Sequence, residues 1–183
     1  MECVLAILTM APPSDAPLAV RPSRPWLLIA TAGGLGYAPL APGSWGAGAG
    51  LLLCCWLAPL GTAAYGLALG ATVLLGVPAA SAAEAHFGRS DDGRIVIDEV
   101  AGQLLALAPL ALWAPAHATD PLYLAIAFLL FRVLDIWKPG PVRWAEQRFR
   151  GGLGVMADDL VAGGLAAIPL ALFALGTRLG VTP

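Results

Sequence analysis

Five long apolar runs, with ionisable groups confined to their ends, constrain this chain more than any other feature. They extend from just after Pro42-Gly43-Ser44 to about Leu60, and from about Ala63 to Ala83, Ile95 to Ala114, Leu122 to Trp137 and Val155 to Leu175. Most are roughly 16 to 20 residues long, close to the ~20 that an α-helix needs to cross the hydrocarbon of a bilayer. Backbone in hydrocarbon must satisfy its own hydrogen bonds, so runs of this kind predict helices. Composition agrees: 58% of the residues are hydrophobic and 12% charged, with a mean hydropathy of +0.78, whereas soluble domains carry about 25% charged residues.

The expected fold is all-α, a polytopic membrane helical bundle with about four to five spanning helices. One short interfacial amphipathic helix is expected at residues 142–150, VRWAEQRFR, with Trp144 and Phe149 on one side and arginines on the other. Residues 1–25, interrupted by prolines, predict an irregular N-terminal arm. No positive region precedes the short apolar stretch there, so a signal peptide is not expected. Residues 26–183 are expected to form a single membrane-embedded domain. Their first part, WLLIATAGGLGYAPLAPGSWGAGAG, contains too much glycine and proline for one straight helix and predicts a loop or broken helix at the membrane surface. Its glycines suit either close helix packing or a phosphate cradle of backbone N–H groups, but they match no complete phosphate-binding motif.

Charge narrows the class of partner. A net charge of −2 and sparse basic residues argue against nucleic acid. Cys3, Cys54 and Cys55 have no metal or redox spacing, and Cys54 and Cys55 read as packing residues within an apolar run. Alternate spans run in opposite directions, so the start of the first run, the end of the second, the start of the third, the end of the fourth and the start of the fifth share one face. Arg21, Arg24, Arg89, Arg94, Arg132, Lys138, Arg143, Arg148 and Arg150 fall on that face and Arg178 on the other. The positive-inside rule then makes the first face cytoplasmic.

The same face collects Glu84, Asp91, Asp92, Asp98, Glu99, Asp135, Asp158 and Asp159. Carboxylates crowded beside low-dielectric material repel one another unless cations intervene. Oxygen ligands without a cysteine or histidine cluster suit Mg²⁺ best. His86 and His117 fall at opposite ends of the bundle and cannot share a metal. Arg132, Asp135 and Lys138 recur at i, i+3, so neighbouring members share a helix face. In that arrangement Asp135 can bind an ion while Arg132 and Lys138 neutralise phosphoryl oxygens. Within Asp98-Glu99 and within Asp158-Asp159 the two side chains point about 100° apart, so one of each pair can ligate while the other orients, pairs or acts as base. Structural roles are also open: acidic residues suit the first turn of a helix, and Arg132 with Asp135 can be a plain ion pair. Asp91-Asp92-Gly93 reads as a solvated turn.

Four stretches, GGLGYAPLAPGSWG, DDGRIVIDEVAGQ, FRVLDIWKPGPVRW and GGLGVMADDLVAG, occur in an order that resembles the phosphatidylglycerophosphatase A family over about residues 30–170. The resemblance implies a bacterial inner-membrane enzyme that hydrolyses phosphatidylglycerophosphate to phosphatidylglycerol in a Mg²⁺-dependent reaction, with its site facing the cytoplasm. It points to Asp98, Glu99, Asp135, Lys138, Asp158 and Asp159 as catalytic residues, with Asp98, Glu99, Asp135, Asp158 and Asp159 on the metal. It also implies Arg132, Lys138 and Ser44 as phosphate-binding residues and Asp91 as a further site residue. Ser44 stands where the family more often has threonine, which keeps the hydroxyl. His86 stands where some members have an acidic residue. The D-x-D-x-T start of haloacid-dehalogenase phosphatases and the D-G-x-x-A-R opening of CDP-alcohol phosphotransferases are both absent. The alternative reading is a small membrane transporter or ion-binding protein, which would scatter its charges near the bilayer midplane.

Overall fold

The structure, a computed structural model, describes residues 23–181. Most of the expected N-terminal arm, together with Cys3 and Arg21, lies outside the described residues.

The described chain is helical, without strands among its described residues. Helix α1, Arg24–Ala30, leads into a 3-10 segment, Ala32–Tyr37, in which Gly33 and Gly34 take φ of 71° and 103°. The glycine-rich stretch is therefore broken, as expected. α2, Pro42–Leu57, starts on a proline whose fixed φ suits the first helical position. α3, Thr62–Phe87, ends at Gly88 in the left-handed conformation, where the Gly88 N–H donates to the Glu84 carbonyl. α4 is Ile97–Trp113. α5, Pro121–Trp137, is capped by Asp120, whose carboxylate accepts from the Leu122 N–H at 2.8 Å. α6, Gly140–Arg148, is the short amphipathic helix, starting two residues earlier than expected and ending before Phe149 and Arg150, which are extended.

α7, Gly151–Arg178, begins earlier than the apolar pattern places it. Gly151-Gly152 starts this helix. Gly151, at φ 62°, turns the chain out of α6, and the Gly152 N–H finds a partner in Ser81 Oγ of α3 at 3.0 Å. A neighbouring helix thus satisfies a backbone donor that the first turn of α7 leaves open.

The residues from Pro42 to Leu60, α3 and α7 are each long and apolar enough to cross a membrane, while α4 and α5 have 17 residues each. Leu52, Trp56, Leu67, Leu74, Leu129 and Leu172 stand exposed on the outside, as expected of a lipid-facing belt. α4 is the axis of the bundle: nearly every residue from Ile97 to Ala111 is buried, and it packs against α2, α3, α5 and α7. Its tightest crossing is with α7. A Cβ on Gly163 would overlap the Gly102 carbonyl, and one on Gly102 would lie 2.7 Å from the Asp159 carbonyl. Lipid offers no hydrophobic drive for helix association, so close approach through small residues supplies the packing.

The two ends of the bundle are chemically distinct. At one end, His117 packs edge-on against Tyr123 and Phe173, and the Cys54 thiol donates to the Ala118 carbonyl. The other end gathers the starts of α2, α4 and α7 with the ends of α3 and α5. The alternation read from the sequence therefore holds in space.

Candidate active site

At this polar end a cavity of about 290 Å³ is lined by Asp91, Asp98, Glu99, Arg132, Asp135, Lys138, Asp158 and Asp159. Of the catalytic, metal, phosphate-binding and further site residues that the resemblance implies, all but Ser44 line it, whereas Glu84 and Asp92 of the same face do not. Ser44 lies next to the cavity but faces an apolar groove between α2 and α5. Its neighbour Gly43 is the close contact, since a Cβ there would overlap Glu99 Oε1 and come within 3.1 Å of an Arg132 nitrogen.

The eight residues do not form one undivided cluster. Asp98, Glu99 and Asp159 each bring a carboxylate oxygen within 4.8 Å of the others. Asp98 and Asp159 are only 6% and 3% exposed. Asp98 Oδ1, Glu99 Oε2 and Asp159 Oδ2 are buried without a hydrogen-bond partner. Two unit charges at this separation repel by about 3 kcal/mol at an effective dielectric of ~20. Unpartnered buried oxygens are costly, so the trio has the charge and vacant lone pairs of a cation site.

Of the three carboxylates outside the trio, Asp135 and Asp158 already have cationic partners. Asp135 accepts a hydrogen bond from Arg132, whose same nitrogen lies 3.9 Å from Glu99. Asp158 accepts from the Lys138 ammonium at 2.8 Å. Lys138 also donates to Glu146 at 2.7 Å, a partner on α6 that the sequence did not single out. Burial alone would lower the Lys138 pKa, but hydrogen bonds to Asp158 and Glu146 outweigh it and hold the ammonium above the usual lysine range.

Lys138 sits at φ 48°, ψ 63°, a left-handed conformation that a non-glycine residue adopts at a cost of about 1–2 kcal/mol. Asp91 has φ 48° as well, with its N–H donating to Glu84 Oε1 at 3.0 Å. Such backbone persists where the surroundings hold it in place and tends to gather at functional sites. Loss of water against the surrounding protein raises the Asp91 pKa, Lys138 opposes this, and Glu146, Glu84 and Asp135 add to the rise.

Asp92 corrects the reading of Asp91-Asp92-Gly93 as a solvated turn. It is 7% exposed and accepts from Arg94 Nε at 2.7 Å, Arg94 Nη2 at 2.9 Å and the Arg94 N–H at 3.1 Å. The Arg94 guanidinium lies 3.7 Å above the Phe87 ring, which ties the turn to the end of α3. Hydrogen bonds from Arg94 lower the Asp92 pKa. A carboxylate depressed in the folded state contributes stability above its unfolded pKa, about 3.9, and that contribution is lost as pH falls through the folded value. Asp92→Asn is expected to lower the melting temperature at pH 7 and to narrow the gap from the parent protein as pH falls below 4; thermal unfolding in detergent from pH 3 to 7 checks this.

Gln103 also went unnoticed in the sequence. It lies one turn beyond Glu99, is fully buried, and has no partner for either side-chain amide atom. An amide within an otherwise apolar stretch of helix was the available signal. Arg132 Nε is likewise buried and unpartnered.

The family profile described as Phosphatidylglycerophosphatase A matches residues 28–174, which includes every element of this site. The chain belongs to the phosphatidylglycerophosphatase A family. It is 34% identical over 148 residues to an Escherichia coli protein named phosphatidylglycerophosphatase A, covering 81% of this chain and 83% of that one. A Haemophilus influenzae protein of the same name is 35% identical over 146 residues, covering 79% and 86%. A Bacteroides thetaiotaomicron protein provisionally named a phosphatidylinositol-3-phosphatase is 38% identical over 159 residues, covering 83% and 95%. No solved structure matches the chain. Membership in the phosphatidylglycerophosphatase A family makes this chain a phosphatase, and its helices make it a membrane protein.

Proposed function

We propose that this enzyme hydrolyses the terminal phosphomonoester of phosphatidylglycerophosphate, with Asp98, Glu99 and Asp159 holding Mg²⁺. The observation that carries the proposal is the buried trio with its unpartnered oxygens, beside Arg132 and Lys138. An all-oxygen donor set fits a hard divalent cation, and among the described residues no thiol or imidazole lines the cavity. Bound there, a divalent cation supplies Lewis-acid polarisation and charge neutralisation at the phosphoryl group.

The chain's own residues account for the other requirements. Arg132 offers a planar fork of donors to the phosphoryl oxygens, while Asp135 fixes its orientation. Lys138, held between Asp158 and Glu146, adds a second positive charge where negative charge develops on the transferred group. Water adds to phosphorus, the ester P–O bond breaks, and the leaving glycerol oxygen takes a proton. Asp91, Asp135 and Asp158 are the cavity carboxylates outside the trio that can accept the proton of the attacking water. The acyl chains stay at bilayer depth while the headgroup enters the cavity.

We place the site at the cytoplasmic face of a bacterial inner membrane. Arg89, Arg94, Arg132, Lys138, Arg143, Arg148 and Arg150 belong to the polar end and Arg178 to the opposite end, a distribution that supports this orientation. Purified protein supplied with phosphatidylglycerophosphate in detergent is expected to release inorganic phosphate with Mg²⁺, to stop with excess chelator, and to resume when Mg²⁺ is restored. Because of the Bacteroides relative's name, phosphatidylinositol 3-phosphate serves as the comparison substrate. Release from neither lipid with Mg²⁺ present would sink the proposal, and faster turnover of the inositol lipid would transfer it to that headgroup.

A further inference from the structure

A groove of about 620 Å³ runs between α2 and α5, with Ser44, Gly48 and Leu51 on one wall and Leu124, Ala125 and Phe128 on the other. From Ser44 to Leu51 it follows α2 for about 10 Å at 1.5 Å per residue, a large part of the ~15 Å hydrocarbon depth of one leaflet. Its upper end adjoins the phosphatase cavity. Gly43, next to Ser44, lies against Glu99 and Arg132, and Phe128 precedes Arg132 by one turn on α5. The apolar trough thus starts beside Gly43 and one turn from Arg132, a cation suited to phosphate, although the two cavities share no lining residue.

We infer that this groove seats one acyl chain of the lipid whose phosphate is removed. The inference rests on the lipid-phosphatase reading and extends it, because it makes the α2–α5 face a determinant of substrate selection. The closeness of its end to the carboxylate cavity favours this occupant over a helix of another protein. A lipid with its phosphate at Arg132 has its tails at this depth, whereas a docked helix would close the lateral route from the bilayer to the site. Gly48 provides a direct handle. A Cβ added there meets no atom within 4 Å, so a larger side chain projects into the groove without disturbing the helix packing.

The test compares dipalmitoyl and dihexanoyl phosphatidylglycerophosphate as substrates in mixed micelles. Gly48→Phe is expected to lower the long-chain to short-chain ratio of kcat/KM at least tenfold, through a higher KM for the long chains. Ala125→Phe, from the opposite wall, is expected to do the same. Gly66→Phe on α3, where the added Cβ also meets nothing, is expected to leave the ratio unchanged. A dipalmitoyl substrate carrying a diazirine midway along one chain is expected to label α2 and α5 in the parent protein and to lose that labelling in Gly48→Phe. An unchanged ratio in active Gly48→Phe and Ala125→Phe enzymes, or labelling confined to α3 and α7, would overturn the groove while leaving the phosphatase intact. Cysteines at Ala125 that cross-link two copies would assign the groove to self-association and also overturn it. A parent protein inactive on both lipids would overturn the enzymatic reading, and this inference with it.

Discussion

Replacement of Asp159 by asparagine is expected to reduce phosphate release at least about 10³-fold at saturating Mg²⁺, because metal stabilisation of a phosphoryl transition state is worth several kcal/mol and each 1.36 kcal/mol is tenfold. Asp98→Asn is expected to behave in the same way, since the proposed cation site takes these two carboxylates from different helices. The sign of the stability change separates this role from a structural one. Asparagine keeps the shape of aspartate and removes one of three mutually repelling charges, so the variants are expected to melt no lower than the parent protein without metal.

Ligand binding to the folded state raises stability by RT ln(1 + [L]/Kd). The parent protein is therefore expected to show a Mg²⁺-dependent rise in melting temperature that both variants lack. Asp135→Asn is expected to impair turnover by freeing Arg132 while leaving much of that Mg²⁺-dependent shift in place. Near-normal turnover in all three variants would remove the proposed site. Loss of activity accompanied by a large fall in metal-free stability would make the trio a structural feature.

The second large effect is expected one helical turn from the chemistry. Gly163→Leu forces a side chain into the Gly102 carbonyl, and neither helix backbone can yield without separating α4 from α7. Overpacking a close contact costs about 1–3 kcal/mol and more where backbone must move. Asp159 lies one turn before Gly163 on α7, so separation would also draw its carboxylate away from Asp98. Gly163→Leu is expected to lower both melting temperature and phosphate release. Gly164→Leu provides the adjacent comparison, because its Cβ would meet nothing within 4 Å. Equal behaviour of the two variants would show that this crossing does not set the site.

Much of the site was legible because membrane helices confine charge so strongly. Ionisable residues at the ends of apolar runs have little freedom of depth, and alternating spans leave them only two faces. That was sufficient to bring Asp98, Glu99, Arg132, Asp135, Lys138, Asp158 and Asp159 to one end before any coordinates. Glu146 was not legible because a glutamate on a short amphipathic helix looks like ordinary surface charge until Lys138 is found donating to it. Asp92 was misread because aspartate before glycine usually marks a wet turn, whereas Arg94 stacked on Phe87 covers this one. The start of α7 was placed late because paired glycines weaken a helix in isolation; Ser81, on a different helix, supplies the missing acceptor.

The order of apolar runs and end charges determined by itself that this chain would be a membrane bundle with a polyanionic end, because hydrocarbon excludes unpaired backbone and unpaired charge. Only the tertiary structure decided how that end divides into a buried trio with free oxygens and two carboxylates already held by Arg132 and Lys138. Helical spacing gives the direction of a side chain around its own axis. Which partner it meets depends on how closely neighbouring axes approach, and here that distance is set by glycines at the crossing of α4 and α7 and at Gly43.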